Sequence, residues 1–174
     1  MSNQVPEKLI NFRVYEDGND LLGIADVELP SIEAMTETVK GAGIAGEVDS
    51  PVLGHFGSMT LTLNWRTIIK STVHLAQQRA HNLDLRGAIQ TYNSGTGEYK
   101  VTPLKVSVRC IPKTTDLGKL DVGTTSDASN EFEVTYIKVF LDGVPVIEID
   151  KFNYICVING VDYLKQVRQA LGLS

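Results

Sequence analysis

The chain has 174 residues, of which 43% are hydrophobic and 21% charged, a composition that excludes wholesale disorder and fits one domain over residues 1–174. Its net charge of −5 excludes a protein that coats nucleic acid, because phosphate binding requires a surplus of lysine and arginine. Its apolar runs are too short to span a membrane and its basic residues are scattered, so no stable membrane association and no signal peptide are expected.

The first half of the chain contains a predicted turn, a strand and a helix. Asp17-Gly18 follows the strand-like segment 9–15 and predicts a tight turn, because glycine reaches positive φ without strain. The segment 41–57 is expected to be irregular and flexible. Residues 58–66 alternate between apolar and polar side chains, which indicates a half-buried strand. Apolar residues at helical spacing predict a helix over 67–80.

The second half continues the β pattern. A hairpin is predicted with its turn at 94–97, and 112–130 is expected to be an irregular loop. Alternation over 131–141 changes phase near Ile137, which predicts a bulge or a strand that passes between two sheets. Asp142-Gly143 predicts another tight turn, a strand follows over 145–150, and a last helix is predicted to begin near Gly160.

About eight strands and two helices are therefore predicted, an arrangement of mainly β (α+β) type. We expect two packed antiparallel sheets that form a sandwich or barrel, with a flanking helix and a short C-terminal helix. Cys110 and Cys156 lie in apolar strand-like segments, which favours two reduced, partly buried thiols in a cytoplasmic protein over a disulfide between them.

One glycine motif has the letters of a dinucleotide-binding site. Residues 41–46 read G-x-G-x-x-G, a fingerprint that binds phosphate only between a buried strand and a helix N-terminus. Two carboxylates and Pro51 follow instead, which favours a simple glycine loop.

Other candidates for catalysis are equally weak. His55, His74 and His81 lack the spacing of a zinc helix and are interpreted as surface or capping residues. The carboxylate pairs Glu131/Glu133 and Glu148/Asp150 each share one strand face and favour a solvated surface over acid–base chemistry. No enzyme, no cofactor and no metal site are expected.

A family resemblance rests on the order of several motifs. The Asp17-Gly18 turn is followed by the segment 21–30, the glycine cluster 41–46 and the alternating strand around 59–65. Near the end come 140–143, 146–150 and 159–164, and then Arg168 and 171–173. In this order the chain resembles the major tail tube proteins of contractile-tailed bacteriophages and R-type bacteriocins (tailocins).

The resemblance implies a structural subunit and no catalysis. In that family, hexameric rings join their sheets into a continuous barrel and stack into a rigid hollow tube inside a contractile sheath. The implied partners are copies of this chain, the sheath protein, the terminator and baseplate proteins and, in a phage, DNA in transit. The implied location is the virion tail or tailocin particle, assembled in the bacterial cytoplasm.

Three sets of residues are candidates for these roles. An acidic, Thr-containing lining would repel DNA phosphates, a glycine-rich segment would reach the next ring, and an exposed helix face would meet the sheath. Ordinary solvent exposure is the alternative for each set. The lumen-lining candidates are Glu33, Glu37, Thr60 and Thr62. The inter-ring candidates are Gly41, Gly43, Gly46, Asp49 and Gly54, and the sheath-facing candidates are Gln77, Gln78 and Arg79.

Two other functions stay open. A tube protein of a related injection apparatus, such as type VI secretion, would share the fold and the ring. A monomeric β-sandwich binding module would only look similar. The sequence does not separate phage from bacteriocin.

Overall fold

Residues 3–173, the part of the chain described by a computed structural model, form twelve strands and two short helices. Every strand pair is antiparallel, and the mainly-β prediction is confirmed. The strands are β1 Gln4–Glu16, β2 Asn19–Asp20, β3 Ile24–Glu28, β4 Ala34–Lys40, β5 Glu47–Phe56, β6 Thr60–Trp65, β7 His81–Asn93, β8 Tyr99–Asp116, β9 Ser129–Leu141, β10 Val144–Asp150, β11 Ile155–Ile158 and β12 Val161–Asp162. The helices are α1 Lys70–His74 and α2 Lys165–Ala170.

Ten of these strands form one sheet that branches at β9. Its main path runs β12-β11-β10-β9-β8-β7-β1-β2, and β3 joins through β6. On the edge opposite β8, the first part of β9 pairs with β6 and the later part pairs with β10. The register with β8 shifts at Thr135, which is left as a bulge between Val134 and Tyr136. The predicted bulge is therefore confirmed, and the strand joins two branches of one sheet rather than two separate sheets.

The core lies between the two branches of this sheet. Leu61, Leu63 and Trp65 on β6 are almost completely buried, as the alternation predicted. They pack in one cluster with apolar residues of the other branch, including Leu83 of β7 and Ile149 of β10. Burial of these side chains is the main favourable contribution to folding.

The predicted tight turns are confirmed. Asp17 and Gly18 have φ of 49° and 83°, and Asp142 and Gly143 have φ of 52° and 76°. Two successive positive φ values match the twist of an antiparallel hairpin, so the Asp-Gly sequence closes both hairpins without strain.

Two predicted irregular segments are more ordered than expected. Residues 47–56 form β5, which pairs with β4 in a separate two-stranded hairpin, so the prediction of an irregular segment over 41–57 is wrong. Only residues 41–46 form its tip. The predicted loop 112–130 shrinks to 117–128, because β8 continues to Asp116 and β9 begins at Ser129.

Both helices are shorter than predicted. The helix over 67–80 is reduced to Lys70–His74, and Val73, counted on its apolar stripe, is 59% exposed whereas Leu75 is buried. The last helix does not begin near Gly160. There the Asn159-Gly160 pair, with φ of 49° and 80°, closes a turn between β11 and β12, and α2 starts at Lys165.

Candidate assembly surfaces

The hairpin formed by β4 and β5 projects away from the core and is here called the assembly hairpin (residues 34–56). Between Met35 and Asp49 every side chain is exposed. Val39 pairs with Val48 across the two strands, and because paired residues share a face, these valines lie side by side in solvent. A two-stranded hairpin without a packed face is only marginally stable in water. An exposed apolar face of this kind indicates a surface that a partner covers.

The inter-ring candidates divide between the tip and the base of the assembly hairpin. Gly41, Gly43 and Gly46 come together at the tip with positive φ. Asp49 lies on β5, where it accepts a weak 3.5 Å hydrogen bond from Thr38. Because the glycine cluster joins two strands and no helix follows it, it lacks the geometry that binds a dinucleotide.

Gly54 lies at the base of the same hairpin and packs inward. A Cβ atom at this position would lie 2.5 Å from Cδ2 of Leu164, which is almost fully buried. This glycine therefore allows β5 to approach the C-terminal segment of the same subunit.

Among the lumen candidates, Glu37 lies on β4, and the backbone carbonyl of Glu33 accepts a 2.9 Å hydrogen bond from the Gly57 amide.

Thr60 and Thr62 lie on a polar face formed by β6 and the first part of β9, here called the Thr–Glu face. They pair with Glu133 and Glu131 respectively, so all four side chains share this face. Lys113 lies among them, with Nζ 3.6 Å from Glu131, 3.5 Å from Glu133 and 3.0 Å from the Thr60 hydroxyl. The face is therefore acidic and hydrogen-bonded, and a lysine that the sequence analysis did not single out partly neutralises it.

The pKa of Glu133 reflects this environment. Burial raises it, but the Ser58 hydroxyl, the Met59 amide and the charges of Lys113 and Lys151 outweigh burial and hold the pKa below its ordinary value. Glu133 therefore stays ionised at neutral pH on the Thr–Glu face.

The sheath-facing candidates Gln77, Gln78 and Arg79 are exposed, but they lie in turns after α1 rather than on a helix. Arg79 also has an internal role, because its Nη2 donates to the buried Glu16 carboxylate over 3.1 Å. Glu16 lies 2.7 Å from Nδ1 of His81, which is completely buried. The interpretation of His81 as a surface or capping histidine is wrong, since it belongs to this internal network.

Strand edges supply another assembly feature. Within the described residues, the edge of β1 that faces away from β7 has backbone partners only near Val14–Glu16, from β2 and Leu21, and the Phe12 amide donates to the Asn11 side chain at 2.8 Å. The N-terminal part of β1 therefore presents free backbone groups over several residues. An unpaired edge of this length can add a strand from another chain.

Cys110 and Cys156 are both free and buried. Burial, with a smaller contribution from Glu16, raises the pKa of Cys110 to about 12, and burial likewise raises the pKa of Cys156. Across residues 3–173, no helix is long and apolar enough to cross a membrane, and no cluster of side chains is suited to hold a metal ion.

An exposed apolar hairpin and an open strand edge on a mainly-β subunit are typical of a structural protein with surfaces for other chains. The family model described as phage tail tube protein FII matches residues 6–172. The chain therefore belongs to the phage tail tube protein FII family, whose members are structural components of virion tails.

Two relatives cover the chain almost end to end. It is 27% identical to the tail tube protein of Escherichia phage P2 over 176 aligned residues, covering 97% of this chain and 99% of the relative. It is 26% identical to the major tail tube protein of Serratia phage KSP20, covering 98% of each.

Solved structures with a partly similar fold come from contractile injection systems. One belongs to the structure of the sheath/tube terminator of the extracellular contractile injection system PVC, at 15% identity and a TM-score of 0.48, covering 78% of this chain and 96% of that one. Another belongs to the PVC sheath–tube complex, at 16% identity and a TM-score of 0.47, covering 78% and 90%.

Proposed function

We propose that this chain is the subunit of the inner tube of a contractile tail, in which hexameric rings stack into a hollow conduit. The observation that carries this proposal is the assembly hairpin, in which every side chain from Met35 to Asp49 is exposed, apolar ones included, and only the base packs on the subunit itself. Contact with neighbouring copies would cover that surface. The glycine tip, with Gly41, Gly43 and Gly46, would then reach the next ring.

The Thr–Glu face is the proposed lining of the lumen. Its hydroxyls and carboxylates keep water bound without an apolar patch, and its negative charge would repel DNA phosphates during passage. Asp26 and Glu28 on the neighbouring strand β3 extend the acidic character. In a phage the conduit would pass DNA, and in a tailocin it would be driven through the target envelope.

The sheath, terminator and baseplate proteins would be the partners at the outside and the ends of the tube. Gln77, Gln78 and Arg79 are exposed on one short segment and are available for contact with the sheath. A tube of a related injection apparatus is the second candidate function, because it would use the same ring. A monomeric binding module is disfavoured by the exposed hairpin and the open edge of β1.

Negative-stain microscopy of the purified chain, with its mass in solution, tests self-assembly. We expect rings or tubes, and we expect Val39→Asp with Val48→Asp to leave a folded monomer, because two charges would have to be buried in the contact. Val122→Asp is the matched control, since Val122 is fully exposed in the 117–128 loop. A wild-type chain that stays monomeric at every concentration and salt would refute the proposal.

Glu33 and Glu37 have a separate test. If they line the lumen, their reversal to lysine leaves tube formation intact and impairs DNA passage in a phage that carries the variant. Loss of tube formation in the same variant would instead assign these side chains to a contact between subunits.

A further inference from the structure

The outer face of the β1-β7-β8-β9 sheet gathers basic residues that are far apart in the sequence. Arg13, Arg86 and Lys105 occupy directly paired positions on three adjacent strands. At one strand spacing per step, they form a row about 10 Å long. Like charges directly opposite one another destabilise a strand pair, so this row has an energetic cost in the isolated subunit. A negatively charged partner would offset that cost.

Aromatic rings hold the cations in place. The guanidinium of Arg86 lies 5.7 Å from the centroid of the Tyr15 ring, and the ammonium of Lys105 lies 5.4 Å from the centroid of Phe140. Arg13 is paired with Asp20, but neither Arg86 nor Lys105 has a carboxylate within salt-bridge distance among residues 3–173. Two cations of the row therefore have fixed positions and no internal counter-charge.

The surface around this row is hollow. Two depressions flank Arg86 over the backbone of the next residue, Gly87, whose own side-chain position lies on the opposite face of the sheet beside Leu9. One depression, of about 310 Å³, lies toward Phe12 and Tyr15, and the other, of about 270 Å³, lies toward Leu104 and Phe140. Each combines an apolar floor with a basic rim, which suits a partner that carries both apolar and acidic side chains.

The assembly hairpin has these two properties. Between residues 34 and 56 it contains three carboxylates and one lysine, so its formal charge is negative. Lys40 lies 4.0 Å from Glu47, which leaves Asp49 and Glu37 without a cationic partner among the described side chains. Its exposed valines would fill the depressions, and Glu37, which shares their face of the hairpin, would meet Arg86 and Lys105. Asp49 and Glu47 lie on the opposite face of the hairpin.

We infer that the basic, hollow face around Arg86 and Gly87 is the receptor for the assembly hairpin of a second copy of this chain. Receptor and hairpin are different surfaces, so the contact is head-to-tail and can repeat around a ring or along a tube. The inference rests on the proposed self-assembly and specifies which surface receives the hairpin.

Nucleic acid is the other negatively charged partner to consider. The face carries five cations, Arg13, Arg86, Lys105, Arg109 and Lys138. Four carboxylates share this face, Asp20, Asp84, Glu148 and Asp150, and Glu148 pairs directly with Lys138 at 3.2 Å. A phosphate backbone requires a larger and less interrupted positive surplus. The apolar floors of the depressions also favour a protein partner.

A charge exchange tests the contact. We expect Arg86→Glu with Lys105→Glu to raise the protein concentration needed for tube formation about tenfold or more at low salt, because like charges would then face each other. Glu37→Lys should have a similar effect, and its combination with Arg86→Glu and Lys105→Glu should restore assembly. Lys119→Glu with Lys165→Glu, both exposed outside this face, is the matched control.

Cross-linking supplies a second measurement that does not depend on charge. Subunits with Ala88→Cys, placed beside the receptor, are mixed with subunits carrying Ser50→Cys, on the valine face of the hairpin. Cys110 and Cys156 are buried, so a cross-linked dimer would report the new pair. Dimers are expected only when both variants are present and tubes form.

The outcomes separate the inference from the proposed function. If the wild type forms tubes, but Arg86→Glu with Lys105→Glu assembles at the wild-type concentration and no cross-link forms, the inference is refuted and the tube function stands. If that variant assembles normally and loses salt-dependent binding to a DNA duplex, the face is a polyanion site instead. If the wild type never assembles, both fail.

Discussion

Asn130 is predicted to be the most sensitive polar residue of the core. It is completely buried at the start of β9. Its Oδ1 accepts a 2.7 Å hydrogen bond from the Trp65 indole, and its Nδ2 donates to the Thr72 carbonyl at 3.3 Å and to the Thr115 hydroxyl at 3.4 Å. Through these bonds one carboxamide connects β9 with β6, α1 and β8.

Asn130→Ala leaves the Trp65 N–H and the Thr72 carbonyl without their partner. Each unsatisfied buried group costs about 1–3 kcal/mol. Since the bond to Thr72 is long and therefore weak, we expect a loss of about 3 kcal/mol in the free energy of unfolding. Urea denaturation followed by far-ultraviolet circular dichroism measures this loss. Two protein concentrations are needed, because assembly would stabilise the folded state.

Thr115→Val is the matched control for this prediction. It removes only the 3.4 Å bond, from the hydroxyl of a partly exposed residue, so a loss of about 0.5 kcal/mol is expected. An Asn130→Ala protein within about 0.5 kcal/mol of the wild type, with the same dependence on urea, would refute the reasoning that this amide supports the core.

Two further predictions concern backbone geometry and pH. Gly54→Ala should lower the free energy of unfolding, measured by urea denaturation, by about 2–5 kcal/mol, because it combines a positive φ of 65° with overlap against Leu164. The control Gly18→Ala, which has a positive φ but open space around it, should lower it by about 1 kcal/mol. Equal losses in the two variants would contradict the overlap. Cys110 has a folded pKa of about 12, so its stabilising contribution is complete below its ordinary pKa of 9.0 and is lost as pH rises toward 12. The unfolding free energy of Cys110→Ala should therefore fall less steeply between pH 8 and pH 10 than that of the wild type. This pH range limits the contribution of Tyr136, whose pKa is also raised. The same slope against pH in both proteins would contradict the prediction.

Local patterns in the sequence predicted much of the central sheet. Alternation around Leu61 and Leu63 depends only on one buried face, and the Asp-Gly turns depend only on two residues at positive φ. The change of phase near Ile137 predicted the bulge in β9, because a bulge alters the alternation on its own strand.

Contacts between residues far apart in the sequence explain the elements that local patterns did not predict, strand β5 and the short length of α1. Strand β5 contains Pro51 and Gly54, which are typical of loops, and it forms because β4 provides hydrogen-bonding partners along its length. The helix after Trp65 is short because the chain must turn to bring His81 to the Glu16 carboxylate.

The candidate surfaces, too, were predicted only where local alternation determines them. The pairing of Thr60 and Thr62 with two glutamates follows from alternation on two predicted strands. The placement of Lys113 among them was not predictable, since a register shift in β8 moves this residue. The row of Arg13, Arg86 and Lys105 exists only through the register of three strands. Composition had indicated scattered basic residues, and folding brings them together.

If the chain forms the proposed tube, the branching of the sheet at β9 has a mechanical consequence, because each subunit of such a tube carries a compressive load. A load on the β6 branch passes to the β10 branch along the covalent backbone of one strand, instead of through side chains that can slide. At the joint, the Thr135 hydroxyl donates to the Arg109 carbonyl at 3.2 Å, and the Thr135 carbonyl accepts from the Lys151 amide at 3.2 Å. These hydrogen bonds on both sides of the bulge restrain the angle between the two branches. The two branches are therefore expected to move as one rigid body under compression.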